Sequence, residues 1–388
     1  LPAILSLFIF DMKNIKWRQT GVVLLVALLI YACSDNSSDP ELVDHGKNRK
    51  EILTHLADNI IIPSYANYKT KQDVMIARGT AFTTKPDEAS LVAFREAWAD
   101  AYIAWQKVEL FDVGPGAKRA IRSYMNIYPT HVNGIEANIQ NPASSLETAA
   151  SFDKQGFPAL DYLLNGVGSN DAEIVDYYNG PDGAKRLAYI KRITDHMHVL
   201  VTDVIADWNG TYHDEFVNKT GTDIGSPMGE LVNGYILNYE RFIRSGKFGI
   251  PSGAMLNGVV AADKVEAFYK KDLSKMLAQT AHQASYDFFN GKNVKTGADG
   301  PSFKSYLDAL GAKDVTSGKT LSEIINTELN AGKTKIDVLK PNFYQEVLTN
   351  NQAMKDTYTE LQKVVRMLKV DMTSAMSITI TYTDNDGD

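Results

Sequence analysis

Over residues 85–116 the apolar side chains Leu91, Phe94, Trp98, Ala101, Trp105 and Val108 recur three and four positions apart. That spacing winds them onto one stripe of an α-helix, with Pro86-Asp87 as the start signal and Gly114-Pro115-Gly116 as the stop. The same period runs through most of the chain. It predicts a helix over 44–75 bent at Pro63, a long amphipathic helix over 183–210, and further helices near 228–245, 261–290, 321–330 and 342–376. Two-residue alternation stands out only in "SITITYT" (377–383), which reads as a short extended tail. An amphipathic helix must bury its stripe against another element, so the fold class is all-α. With 388 residues the chain is long for one four-helix bundle. The expectation is two packed four-helix-bundle-like halves, 44–210 and 228–376, joined by a polar linker 211–227 and followed by an extended acidic tail 377–388.

The N-terminal stretch reads as targeting sequence. Lys13, Lys16 and Arg18 precede an apolar run, "GVVLLVALLIYA" (21–32), of signal-peptide length. The run ends in "LIYAC", which resembles a bacterial lipobox, with Tyr31 an atypical residue in it. Met12 is then the expected start, and 1–11 upstream sequence. Residues 1–33 are expected to be upstream residues and a lipoprotein signal peptide ending at Cys33, the one cysteine of the chain, and 34–43 a polar tether. Acylation at Cys33 would hold a soluble body on a membrane face, so the expected location is the cell envelope, at the outer membrane on its periplasmic or surface side.

Composition narrows the partners. A formal net charge of −7, with no basic patch interleaved with aromatics, argues against nucleic acid. There is no P-loop, nucleophile elbow or dinucleotide fingerprint, and no H-E-x-x-H zinc motif. His196, Asp203 and Asp207 share one helical face, which reads first as a solvated stripe; the tail "DNDGD" lacks the closing Glu of a calcium loop.

The segment "GFPALDYLLNG" (156–166) carries a single acid, Asp161, three residues after Pro158. Positions three apart share a helix face. Two readings stand. Phe157-Pro158 opens an ordinary helix, with proline in the first turn; or this is a site that has lost its first ligand.

"WADAYIAWQKVELFDVGP", "IYPTHVNGIEANI", "GFPALDYLLNG" and "YERFIRSGKFGIPSG" occur in that order. Together they resemble the imelysin-like family, formerly listed as M75 peptidases, over about residues 44–376. The resemblance implies two four-helix-bundle halves, an envelope location and a link to iron uptake. It also implies a G-x-H-x-x-E motif. Gly156 matches the glycine, Pro158 stands where the histidine would be, and Asp161 stands where the glutamate would be, one methylene shorter. Proline has no metal-binding atom, and a lone aspartate is a poor metal site unless other segments help. The resemblance places the functional site in a cleft between the halves, for which Glu109, Arg122, His131, Glu240 and Lys247 are the polar candidates beside Asp161. No cofactor is fixed by the residues; iron or another divalent metal is the candidate, with Asp161 its candidate ligand. The partners implied are the membrane, through the lipid anchor, a small ligand or metal, and other iron-uptake proteins. The reading is a ligand- or metal-binding envelope component, against the alternatives of a metallopeptidase and a structural surface lipoprotein.

Overall fold

The computed structural model describes residues 45–383. The expected signal segment with Cys33, the tether 34–43 and the end of the acidic tail (384–388) lie outside the described residues. The chain divides at His45, and the unit Gly46–Asp388 carries the helical fold. Among the described residues there are helices and turns but no strand; a single isolated bridge joins Lys313 and Thr320. No described helix is long and apolar enough to cross a membrane.

In the first half, α1 (His45–Leu56) continues through a π turn (Ala57–Ile61) into α2 (Ile62–Thr84). The expected bend at Pro63 takes this form for a physical reason. Proline has no N–H and crowds the carbonyl four residues back. That carbonyl, on Asn59, accepts instead from the Val294 amide at 3.0 Å, so the irregular turn becomes a docking point for the second half. The next helix, α3 (Glu88–Trp105), starts where the sequence says. Asp87 accepts from the Ser90 amide at 2.8 Å and Ser90 Oγ accepts from the Asp87 amide at 3.1 Å, a reciprocal cap. It stops at Trp105, short of the Gly-Pro-Gly signal, and a 3-10 turn (Glu109–Phe111) covers the interval. The motif helix α4 (Gly156–Asn165), α5 (Asp171–Asn179) and the long α6 (Gly183–Trp208) complete the half. Helix α3 lies between α2 and α4, and α6 packs on α2.

The second half is built from α7 (Pro227–Leu237), a twelve-residue π segment (Asn238–Gly249), α8 (Ser274–Asn290), α9 (Leu321–Asp337) and α10 (Phe343–Arg366). α10 packs on both α9 and the π segment. The helix expected over 261–290 begins only at Ser274. Residues 250–273 are turns around one short 3-10 helix (Ala262–Lys264), and Ala267 and Lys271 hold left-handed φ values of 55° and 66° that side chains rarely adopt. The expected linker holds a short helix (Thr211–Asn218) with Phe216 and Val217 buried. The extended stretch after Met376 is pinned to α7: Asn233 donates to the Thr379 carbonyl at 3.0 Å and accepts from the Thr381 amide at 2.8 Å.

The core is aromatic where the halves meet the motif. Phe157 stacks on Tyr102 with centroids 4.5 Å apart, and its carbonyl accepts from Trp98 Nε1 at 3.2 Å. α3 touches α8 across the junction, and the 3-10 turn at Glu109 rests on α7 and the π segment.

Candidate functional site

The motif helix opens under tight constraint. Gly156 has φ of +73°, and a Cβ there would lie 2.3 Å from the Met125 carbonyl oxygen. Only glycine lets the chain enter α4 at this angle. Pro158 then occupies the first turn, where the amides have no partner within the helix in any case, and it is buried. One turn on, Asp161 is 2% exposed. Its Oδ2 accepts from the Tyr269 amide at 2.9 Å, and its Oδ1 from the Lys270 amide at 2.9 Å and from Asn165 Nδ2 at 3.1 Å. The carboxylate therefore clamps the turn between the two left-handed residues, joining α4 to the second half. Burial pushes the Asp161 carboxyl up to about 7, against the pull of these hydrogen bonds and of the Lys270 ammonium.

This position does not fit a metal ion. Pro158 offers no ligand atom, and both oxygens of Asp161 are occupied by backbone amides. Among the described residues no three His, Cys, Asp or Glu side chains converge as a metal site.

Of the other predicted residues, Glu109, Arg122 and Lys247 come together in a buried polar junction. Glu109 Oε1 accepts from Asn126 at 2.8 Å and from Trp105 Nε1 at 3.3 Å. Asn126 also donates to Glu266 Oε1 at 2.9 Å, as does Gln106 at 3.0 Å. Lys247 pairs with the second oxygen of Glu266 and donates to Gln106 Oε1 at 2.8 Å. Tyr102 donates to Asn126 Oδ1 at 2.5 Å. Arg122 donates twice to the Glu109 carbonyl, both at 3.1 Å, and lies 4.4 Å over the Phe242 ring. Gln106, Glu109 and Asn126 come from the first half, Lys247 and Glu266 from the second, and none of the five is more than 2% exposed. Charges taken this far from water cost several kcal/mol each unless fully bonded, so the junction holds the halves in one register. Burial pushes the Glu109 carboxyl up, opposed by Lys247 and reinforced by Glu266. Burial and the two carboxylates keep the Tyr102 and Tyr128 phenols far above their usual range, hence neutral.

Glu240 and His131 lie apart from this junction. Glu240 accepts from Lys369 at 3.1 Å and from Tyr382 at 2.7 Å, securing the C-terminal stretch. His131 is an exposed residue before a short helix, 3.9 Å from Asp153. Asp203 and Asp207 of the α6 stripe both face Arg119, at 3.8 and 2.5 Å, and His196 bonds Gln155 at 2.6 Å. Sequence reasoning missed Gln106, Asn126 and Glu266. Glu266 carried no local signal, since "DKVEAFYKK" reads as an ordinary solvated helix.

The Asp161 environment has a pH consequence. The folded chain holds its proton up to about pH 7, whereas the free side chain releases it near 3.8. This group's contribution to stability is therefore full at low pH and falls between about pH 4 and 7. His282, held down to about 4 by burial, contributes with the opposite slope in part of that window, so the informative quantity is a difference. Asp161→Asn turns an NH2 toward one of the two backbone amides and should lie about 1–3 kcal/mol below the wild type at pH 4, where Asp161 is protonated. It should gain on the wild type steadily toward pH 7 in urea unfolding. A difference that does not change with pH would contradict the assignment.

The imelysin (M75 peptidase) family model matches residues 61–370. Two crystal structures share the fold. An imelysin-like protein from Psychrobacter arcticum superposes with a TM-score of 0.65 at 18% identity, over 87% of this chain and 98% of that one. A protein from Parabacteroides distasonis, named as an iron-regulated protein A precursor, gives 0.64 at 16% identity, over 83% and 95%. No curated protein matches the sequence significantly. With its motif helix, its paired helical halves and a family match running from the end of the π turn into the last helices, the chain belongs to the imelysin family.

Proposed function

We propose that this chain is a lipid-anchored envelope protein that acts as a ligand-binding component of an iron-related process, and not as a peptidase. The observation that carries this reading is the state of the motif. Metal-assisted hydrolysis needs about three protein ligands and an open position for water. Here Pro158 replaces one candidate ligand, and Asp161 spends both oxygens on the Tyr269 and Lys270 amides. The site is closed by the protein's own backbone and serves to fix the second half against the first. The iron-related setting rests on the name of the Parabacteroides distasonis relative. The anchor rests on the order of basic, apolar and small residues ending at Cys33.

The peptidase alternative is tested by incubating pure protein with a broad peptide library and zinc, iron or manganese. No cleavage is expected. Chelator-sensitive cleavage by the pure protein would overturn the reading.

The anchor has its own test. Cys33→Ser should move the protein from the membrane fraction to the soluble one, and the wild type should carry acyl chains by mass spectrometry. A variant that still pellets with membranes, beside a wild type without lipid, would refute anchoring at Cys33.

A further inference from the structure

The last helical turn (Thr373–Met376) ends at Ser377, whose left-handed φ of 54° takes the chain out of the helix. Beyond it the side chains alternate. Ile378, Ile380 and Tyr382 pack inward, while Thr379, Thr381 and Thr383 are exposed. A neighbouring strand normally holds such an extended segment. Here, among the described residues, there is no strand, and residues 379–383 make no backbone-to-backbone hydrogen bond. Side chains of α7 and the π segment read the backbone instead. Asn233 donates to the Thr379 carbonyl at 3.0 Å and accepts from the Thr381 amide at 2.8 Å, one bond of each kind that a partner strand would supply. Arg241 donates to the Thr383 carbonyl.

Tyr382 is seated among charges. Its hydroxyl donates to Glu240 Oε2 at 2.7 Å, and Arg241 and Lys369 lie 5.9 and 5.8 Å from its ring centre. Glu240, 1% exposed, has a second partner in Lys369 at 3.1 Å. Asn233 likewise donates to the Gly229 carbonyl at 2.9 Å. Lifting the segment away therefore strands neither group without a partner. A cleft of about 240 Å³ runs beside the segment, between Ile378, Thr379 and Thr381 and the turn at Asp223 and Ile224. On that side close packing does not lock the segment in.

We propose that α7 and the π segment form a binding site for an extended peptide of the pattern Ile-x-Ile-x-Tyr, and that residues 378–382 of the chain occupy it as a detachable ligand. Asn233 and Arg241 select extended backbone whatever its side chains. The inward isoleucines and the Glu240 seat select the sequence. The inference is independent of the anchor and of the ligand-binding reading above.

The test disarms the chain's own segment without shortening the chain. Full-length Ile380→Asp/Tyr382→Ala should bind the free peptide spanning 377–383 saturably and one to one by calorimetry. The wild type should bind it about tenfold more weakly or worse, because its tethered segment competes at an effective concentration of about a millimolar. The peptide with Tyr382→Phe loses the bond to Glu240 and should bind the double variant roughly fivefold more weakly or worse. Circular dichroism checks that the double variant folds. The wild type supplies a second readout: the Thr381 amide should exchange by local release, faster than the core amides of α10. No saturable binding to a folded double variant, equal affinity of the wild type and the double variant, equal binding of the Tyr382→Phe peptide, or Thr381 exchange no faster than that of the α10 core would overturn the proposal.

Discussion

A carboxylate removed from water must regain its hydrogen bonds from the protein, and in this fold two such groups tie one helical half to the other. Asp161 recovers them from the backbone amides of Tyr269 and Lys270, and Glu266 from Gln106, Asn126 and Lys247. The Asp161 bonds and those of Gln106 and Asn126 to Glu266 cross the junction and converge on one short segment, 266–270. That segment contains a left-handed alanine and is followed by a left-handed lysine. Each such residue costs about 1–2 kcal/mol for an L-amino acid, so the local conformation persists because the buried acids over-determine it. The interval that reads as helix by periodicity is held as turns for the same reason.

The arrangement separates two roles that a single cleft could have combined. One face of α3 carries Trp98, Tyr102 and Trp105 into the motif helix and the polar junction, where every charged group is spent on another part of the chain. The opposite face carries Asp100, Ile103 and Ala104 toward an open groove. A ligand entering the first region would have to displace native hydrogen bonds; the second is open.

Much of the fold was legible in the sequence. The stripe from Leu91 to Trp105 and the helix start at Asp87 each rest on a local rule and appear in the structure, and the break expected at Pro63 is a π turn just before it. The all-helical class and the imelysin resemblance follow from such elements taken together. The motif departure was also visible, but its meaning was not. The sequence left open whether Pro158 opened a helix or marked a lost ligand, and the partners that decide what Asp161 does, the amides of Tyr269 and Lys270, lie more than a hundred residues away. The polar candidates divided for a similar reason. Glu109, Arg122 and Lys247 are gathered by long-range packing around Asn126 and Glu266, whereas Glu240 is drawn to Tyr382 and the C-terminal stretch. No short-range pattern distinguishes these fates.

The central claim is that Asp161 is a clamp on the second half and not a ligand awaiting a metal. Native-state hydrogen exchange of the Tyr269 and Lys270 amides addresses it most directly, because those two protons are the ones the carboxylate is said to hold. Slow exchange is predicted for both in the wild type. In Asp161→Ala they should exchange at least tenfold faster while core amides of α2 and α10 keep their rates. Exchange that is equally fast in both proteins would contradict the account.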